Sequence, residues 1–137
     1  MTWLVDTNVL SELRKRERAD AGVRAWFASA ADDDVFTSVL VLGELRRGIE
    51  SLRRRDPSGA MALEQWLARL AAGFADRVLP VDAEIADRWG SLNVPDPVPT
   101  VDGLLAATAL VHDMVLVTRN TRDVERTGVR LLNPSLG

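Results

Sequence analysis

Five short runs rich in apolar residues divide this chain, and none exceeds four residues: Trp3-Leu4-Val5, Val35-Phe36-Thr37, Val78-Leu79-Pro80-Val81, Met114-Val115-Leu116-Val117 and Val129-Arg130-Leu131-Leu132. Runs this short suit strands better than helices. The stretches between them carry apolar residues at helical spacing. Strands that alternate with helices pair in parallel, because each long crossover returns the chain in the same direction. The expected fold is therefore α/β, a three-layer sandwich with a central, mainly parallel sheet and helices on both faces.

The helices can be placed from their caps and stripes. Thr7 or Asn8 is expected to cap a helix bearing Val9, Leu10 and Leu13, and Asp20 a second one bearing Val23, Trp26, Phe27 and Ala30. Asp32-Asp33-Asp34 reads as a solvated turn. Ser38 caps a third helix striped by Val41, Leu45, Ile49 and Leu52, and residues 53–59 read as a loop. A long helix then presents Leu63, Trp66, Leu67, Leu70 and Phe74 on one face. Pro80 marks the third strand as an edge or an end. Ile85, Ala86, Trp89 and Leu92 define another helix. Three prolines between Asn93 and Pro99 make a loop, and Thr100 is expected to cap a helix reaching about His112.

A chain of 137 residues fits one domain, taken here as residues 1–137, and 47% hydrophobic with 27% charged residues is enough for a core without staples. There is no cysteine, which excludes disulfides and fits a reducing, cytoplasmic setting. No run approaches the ~18 apolar residues of a membrane span. Asp6 interrupts the first apolar run too early for a secretory leader. The net charge of −3 lacks the global basicity usual in nucleic-acid binders, yet 16 of the 17 bases are arginine and they cluster. Arginine suits bidentate phosphate contacts, so Arg46, Arg47 and Arg119 are candidates for phosphate contacts.

In an open parallel sheet, ligands bind beyond the carboxyl ends of the strands. Asp6 follows the first strand directly, and Asn120 and Asp123 follow the strongest late strand. Glu44 borders the apolar stripe of its helix, beside Gly43, a poor helix former that can permit close approach of another chain or ligand. Asp102 lies in the first turn of its helix, where the dipole favours a carboxylate. Small residues Ala106, Ala107 and Ala109 let that helix pack close to the sheet, bringing Asp102 toward Asp6. Converging carboxylates raise one another's proton affinity unless a cation joins them. Magnesium is the hard, oxygen-seeking choice, because a lone histidine and no cysteine cannot make a typical zinc site. His112, near a helix end, reads as a cap. A carboxylate-held metal without a phosphate-binding loop suits phosphodiester hydrolysis, with Asp123 positioning a second ion or the water.

Four ordered motifs carry a resemblance. They are Val5-Asp6-Thr7-Asn8-Val9-Leu10-Ser11-Glu12, then Thr37-Ser38 with Gly43-Glu44-Leu45-Arg46-Arg47-Gly48, then Asp102 to Ala109, and last Val117-Thr118-Arg119-Asn120-Thr121-Arg122-Asp123. Together they resemble the PIN-domain family and, within it, the VapC-like toxins of bacterial toxin–antitoxin pairs. The resemblance implies a PIN fold and a magnesium- or manganese-dependent endoribonuclease, usually a homodimer. It maps the metal ligands to Asp6, Glu44 and Asp102. The fourth acidic position falls on Asn120, with Asp123 three residues on. Val41 also departs from the pattern, since a hydroxyl residue is common there. Thr7, Asn8 and Ser38 are implied as supporting residues and Arg119 as a phosphate contact. The implied partners are a structured RNA substrate, such as a transfer or ribosomal RNA loop, and a cognate VapB-like antitoxin covering the cleft.

Two other readings exist. Dehalogenase-like phosphatases want a second aspartate two residues after the first, where Asn8 stands, and receiver domains want a late lysine, whereas Lys15 is the sole lysine. A catalytically impaired PIN domain that only binds RNA or a partner is allowed by Asn120.

Overall fold

The computed structural model describes residues 1–136. Five strands, β1 (Trp3–Val5), β2 (Val35–Ser38), β3 (Val78–Leu79), β4 (Val115–Val117) and β5 (Leu131–Leu132), form one sheet in the order β3-β2-β1-β4-β5. Every pairing is parallel, with Trp3 opposite both Val35 and Val115, and Val5 opposite Val117. Six α-helices connect them: α1 (Thr7–Leu13), α2 (Ala21–Ser29), α3 (Val39–Arg53), α4 (Pro57–Phe74), α5 (Ala83–Leu92) and α6 (Thr100–Val111).

Chain order explains the layering. From β1 the chain steps outward to β2 and β3, then returns across the sheet to β4. Parallel crossovers are right-handed, so the outward steps place their helices on one face and the returning step places α5 and α6 on the other. The contacts agree: α1 packs on α2 and α3, α3 on α4, and α5 on α6. The sheet centre is apolar on both faces, and Leu4, Val5, Leu116 and Val117 are fully buried. β3 is an edge strand, and Pro80 lies just beyond it.

Three local expectations change. Asp6 itself caps α1, its side chain accepting from the Thr7 amide, so Thr7 and Asn8 are freed for other contacts. Pro57-Ser58-Gly59 is not a loop but the first turn of α4, capped by Asp56. Proline suits that position because the first helical N–H has no intrahelical partner anyway. Thr100 is the first residue of α6, not its cap; Pro99 holds the cap position without a side-chain bond.

Gly103 sets how close α5 and α6 come. A Cβ there would meet the Trp89 ring and Val98 at 3.2–3.3 Å, so glycine admits the indole directly beneath the first turn of α6, the turn that carries Asp102. At Gly43 nothing lies within 4 Å of the Cβ position, so packing among the described residues does not demand glycine there. Among the described residues no helix is long and apolar enough to cross a membrane.

Candidate active site

The winding of the sheet reverses between β1 and β4, and a crevice opens at the carboxyl ends of strands where that happens. Parallel register places Asp6 and Thr118 side by side as the first residues past Val5 and Val117. The Asp6 amide donates to the Val117 carbonyl at 2.9 Å, fixing its backbone to the sheet.

Asp6 is only 6% exposed, and both its oxygens are engaged. Oδ1 accepts from the Thr7 amide at 2.7 Å. Oδ2 accepts from the Thr118 hydroxyl at 2.8 Å and from Asn8 Nδ2 at 3.4 Å. Burial pushes this carboxyl above its usual range; the Thr118 and Thr7 hydrogen bonds oppose that shift, and the charge of Glu44 adds to it. Glu44, on α3, accepts from the Thr7 hydroxyl at 2.5 Å, which ties α3 to the start of α1. Asp102, in the first turn of α6, is half-buried. Its carboxyl is pushed up to about 6, first by burial and then by the charges of Asp6, Asp123 and Glu44. Asp123 accepts from Asn120 Nδ2 at 2.8 Å, and the Asn120 amide in turn donates to Thr118 Oγ1 at 3.1 Å.

The carboxylates of Asp6, Glu44, Asp102 and Asp123 therefore share one electrostatic environment, although they come from four different segments. Asn120 contributes no charge, but it steadies Asp123, which does. Ser38 is fully buried, and its hydroxyl caps α3 by accepting from the Leu40 amide at 3.0 Å. Val41, at the site of the expected hydroxyl, is fully buried in the core. Arg119 turns its guanidinium to Glu12 at 3.0 Å rather than into the crevice. Arg46 pairs with Glu50 at 3.1 Å and Glu64 at 2.7 Å, in an exposed network shared with Arg53. His112 occupies the C-cap of α6, about 15 Å along the helix from Asp102.

Two side chains at this edge carry no role in the sequence reading. Thr118 is 1% exposed and gathers contacts from Asp6, Asn8 and Asn120. Its signal is positional: it follows β4 as Asp6 follows β1, and parallel register puts them together. Glu12 accepts from Lys15, Arg119 and the Asp20 amide at 2.8–3.0 Å, and the Lys15 bond leads the causes that hold its carboxyl below the usual range. A glutamate on the buried side of α1 was the available sign.

The donor set is all oxygen and anionic, as magnesium or manganese requires. Among the described residues no three acidic or histidine side chains stand close enough to cage an ion by themselves. That geometry fits an ion held through one or two carboxylates with water completing its shell, the usual manner of magnesium.

A pH dependence follows. A carboxyl raised in the folded state binds protons more tightly there than in the unfolded chain. Stability is then greatest below the ordinary value of 3.8 and is lost as pH rises through about 6. Glu12, Glu50 and Glu64, held low by cationic partners, act the other way, but only as pH falls below about 4.5. In EDTA, the melting temperature should fall between pH 5 and pH 7. Asp102→Asn should flatten that slope, and millimolar magnesium at pH 7 should recover the loss. Thermal scans across this range check it; a melting temperature that rises over the interval contradicts the shared field.

The chain is 30% identical to VapC ribonuclease Y4jK of Sinorhizobium fredii and 32% identical to Toxin FitB of Neisseria gonorrhoeae, with 96% of each chain covered in both cases. The crystal structure of FitAcB from Neisseria gonorrhoeae superposes with a TM-score of 0.88 at 30% identity, over 97% of this chain and 98% of that one. The family model for the PIN domain matches residues 3–129. By that match, spanning all four acidic segments and every strand but the last, the chain belongs to the PIN-domain family.

Proposed function

We propose that this chain is a metal-dependent endoribonuclease and the toxin of a VapBC-type toxin–antitoxin pair, acting as one PIN unit in the bacterial cytoplasm. The observation that carries the reading is the field around Asp102. Burial and then the charges of Asp6, Asp123 and Glu44 raise its carboxyl, and no cation among the described residues counts among the causes. Of Asp6, Glu44 and Asp102, one or two would hold magnesium or manganese directly and the rest through water in its shell. Such an ion, when bound, lowers the pKa of water and offsets charge developing on a phosphodiester.

The protein's own side chains supply orientation. The Thr118 hydroxyl and Thr7 amide fix the rotamer of Asp6, and the Thr7 hydroxyl fixes Glu44. Asn8 bridges the two loops, its amide donating to Thr118 while its oxygen accepts from the Arg119 amide. Asp123, held by Asn120 and exposed to solvent, would orient a water for attack on phosphorus. It also supplies the fourth carboxylate that Asn120 lacks, which favours an active enzyme over an impaired binding module. The substrate is RNA cut within a single-stranded loop of a structured molecule, a transfer or ribosomal RNA loop. The relatives' complexes point to a cognate VapB-like antitoxin, and we propose a homodimer as in the wider family.

Purified chain should cut RNA in millimolar magnesium and lose all cleavage in EDTA, as read on gels. Expression of the chain alone should stop bacterial growth. Cleavage undiminished by EDTA overturns the reading.

A further inference from the structure

Beside Glu44 the surface does not close. A groove of about 400 Å³ runs between α1, α3 and α4, from Thr7 and Glu44 to an apolar floor that includes Leu52, Leu63 and Trp66. A second concavity of about 340 Å³ adjoins it, bounded by Arg47 and Ser51. The two share Thr7, Glu44 and Gly48. Gly48 lies in the interior of α3, where glycine weakens a helix relative to alanine, and packing does not demand it: nothing lies within 4 Å of its Cβ position. A side chain there would project into the open space where the concavities meet.

The arginines around this space divide into two kinds. Arg46 and Arg53 are neutralised by Glu50 and Glu64. Arg14 and Arg55, at the groove, and Arg47, at the adjoining concavity, form no ion pair among the described residues. Three unpaired guanidinium groups against one carboxylate favour an anionic occupant. The apolar floor favours one that also carries flat apolar groups. The opening at Glu44 requires continuity with whatever reacts there. A nucleotide chain meets all three conditions; an acidic amphipathic peptide meets the first two.

We infer that this groove is a nucleotide subsite for the RNA strand beside the cleaved bond. Its phosphates pair with Arg14, Arg47 and Arg55, one base lies on the floor against Trp66, and Gly48 keeps the passage from Glu44 open. The inference rests on the ribonuclease reading above and adds to it the path of the strand.

The test is binding of a fluorescein-labelled, mixed-sequence single-stranded 15-nucleotide RNA in EDTA, by anisotropy across a salt series, alongside cleavage in magnesium. Gly48→Leu should weaken binding about tenfold while its melting temperature stays level or rises, since leucine is the better helix former. Each arginine–phosphate pair on a single strand adds ~0.7 to the slope of log affinity against log salt, so Arg14→Ala with Arg55→Ala should lower that slope by about 1.4. RNA should quench tryptophan fluorescence in the wild type and much less in Trp66→Phe. If the wild type cleaves RNA but these variants bind it as the wild type does, the subsite is refuted and the nuclease stands. The same holds if they lose affinity only for a cognate antitoxin segment. If the wild type neither binds nor cleaves RNA, both readings fall.

Discussion

The Asp6→Asn chain should cut RNA about 10²–10³-fold more slowly than the wild type while melting within a few degrees of it. The rate loss follows from the chemistry. A metal ion acting on a phosphodiester contributes several kcal/mol, and each 1.36 kcal/mol is tenfold in rate. The amide is neutral, so the innermost charge of the cluster disappears. The stability argument has two opposing parts. Asparagine caps helices about as well as aspartate, so its oxygen retains the bond to the Thr7 amide. Its Nδ2 would face the Thr118 hydroxyl, which must then accept where it formerly donated. Against that, a charge whose burial raises its pKa is removed from a site 6% exposed. The two nearly offset each other. The rate constant for RNA cleavage in magnesium, with thermal scans in EDTA, decides it. Near-wild-type cleavage would take Asp6 out of the chemistry.

The second large effect belongs to a residue that touches no substrate. Thr118→Val keeps the shape but removes one hydroxyl that serves three partners. Asp6 Oδ2 is left with the 3.4 Å contact from Asn8, and the Asn120 amide loses its acceptor. Unsatisfied buried polar groups cost about 1–3 kcal/mol each, so a loss of about 2 kcal/mol is expected, visible as a lower melting temperature. Loss of a group that orients a metal ligand typically costs about 10–100-fold in activity or metal affinity, and a drop of that size is expected here. Thr118→Ser, which retains the oxygen, should recover most of both. If valine and serine behave alike, Thr118 acts only through packing.

Much of this architecture was legible because parallel sheets write themselves plainly. Strands buried on both faces appear as short apolar runs, and their ends appear as abrupt polar residues such as Asp6 and Ser38. Capping was legible at Asp20 and Ser38. It was misread where the competing rule won. Pro57 looks like a loop residue until a helix start is considered, and Thr100 has a capping side chain but stands one position too late. The convergence of Asp6, Glu44 and Asp102 could not be derived from helix position, since each has a local explanation at the surface or at a helix end. It emerged from the ordered motifs, and the structure supplies the field that links them. Thr118 was passed over because Asp6 lies 112 residues away and their pairing depends on strand register, and Glu12 joins local partners to Arg119, 107 residues on. The ion pairs of Arg46 with Glu50 on α3 and Glu64 on α4 were likewise invisible, since one of them joins two helices.

The pairing of β4 with β1 also has a meaning for the cell that makes the protein. A ribosome releases the first strand long before the fourth, and until Thr118 arrives Asp6 lacks its main side-chain donor. Nascent or prematurely terminated chains therefore carry Asp6 and Glu44 without the strand that completes their surroundings. For a ribonuclease synthesised amid the cell's own RNA, competence that waits for nearly the whole polypeptide is a safeguard written into the topology.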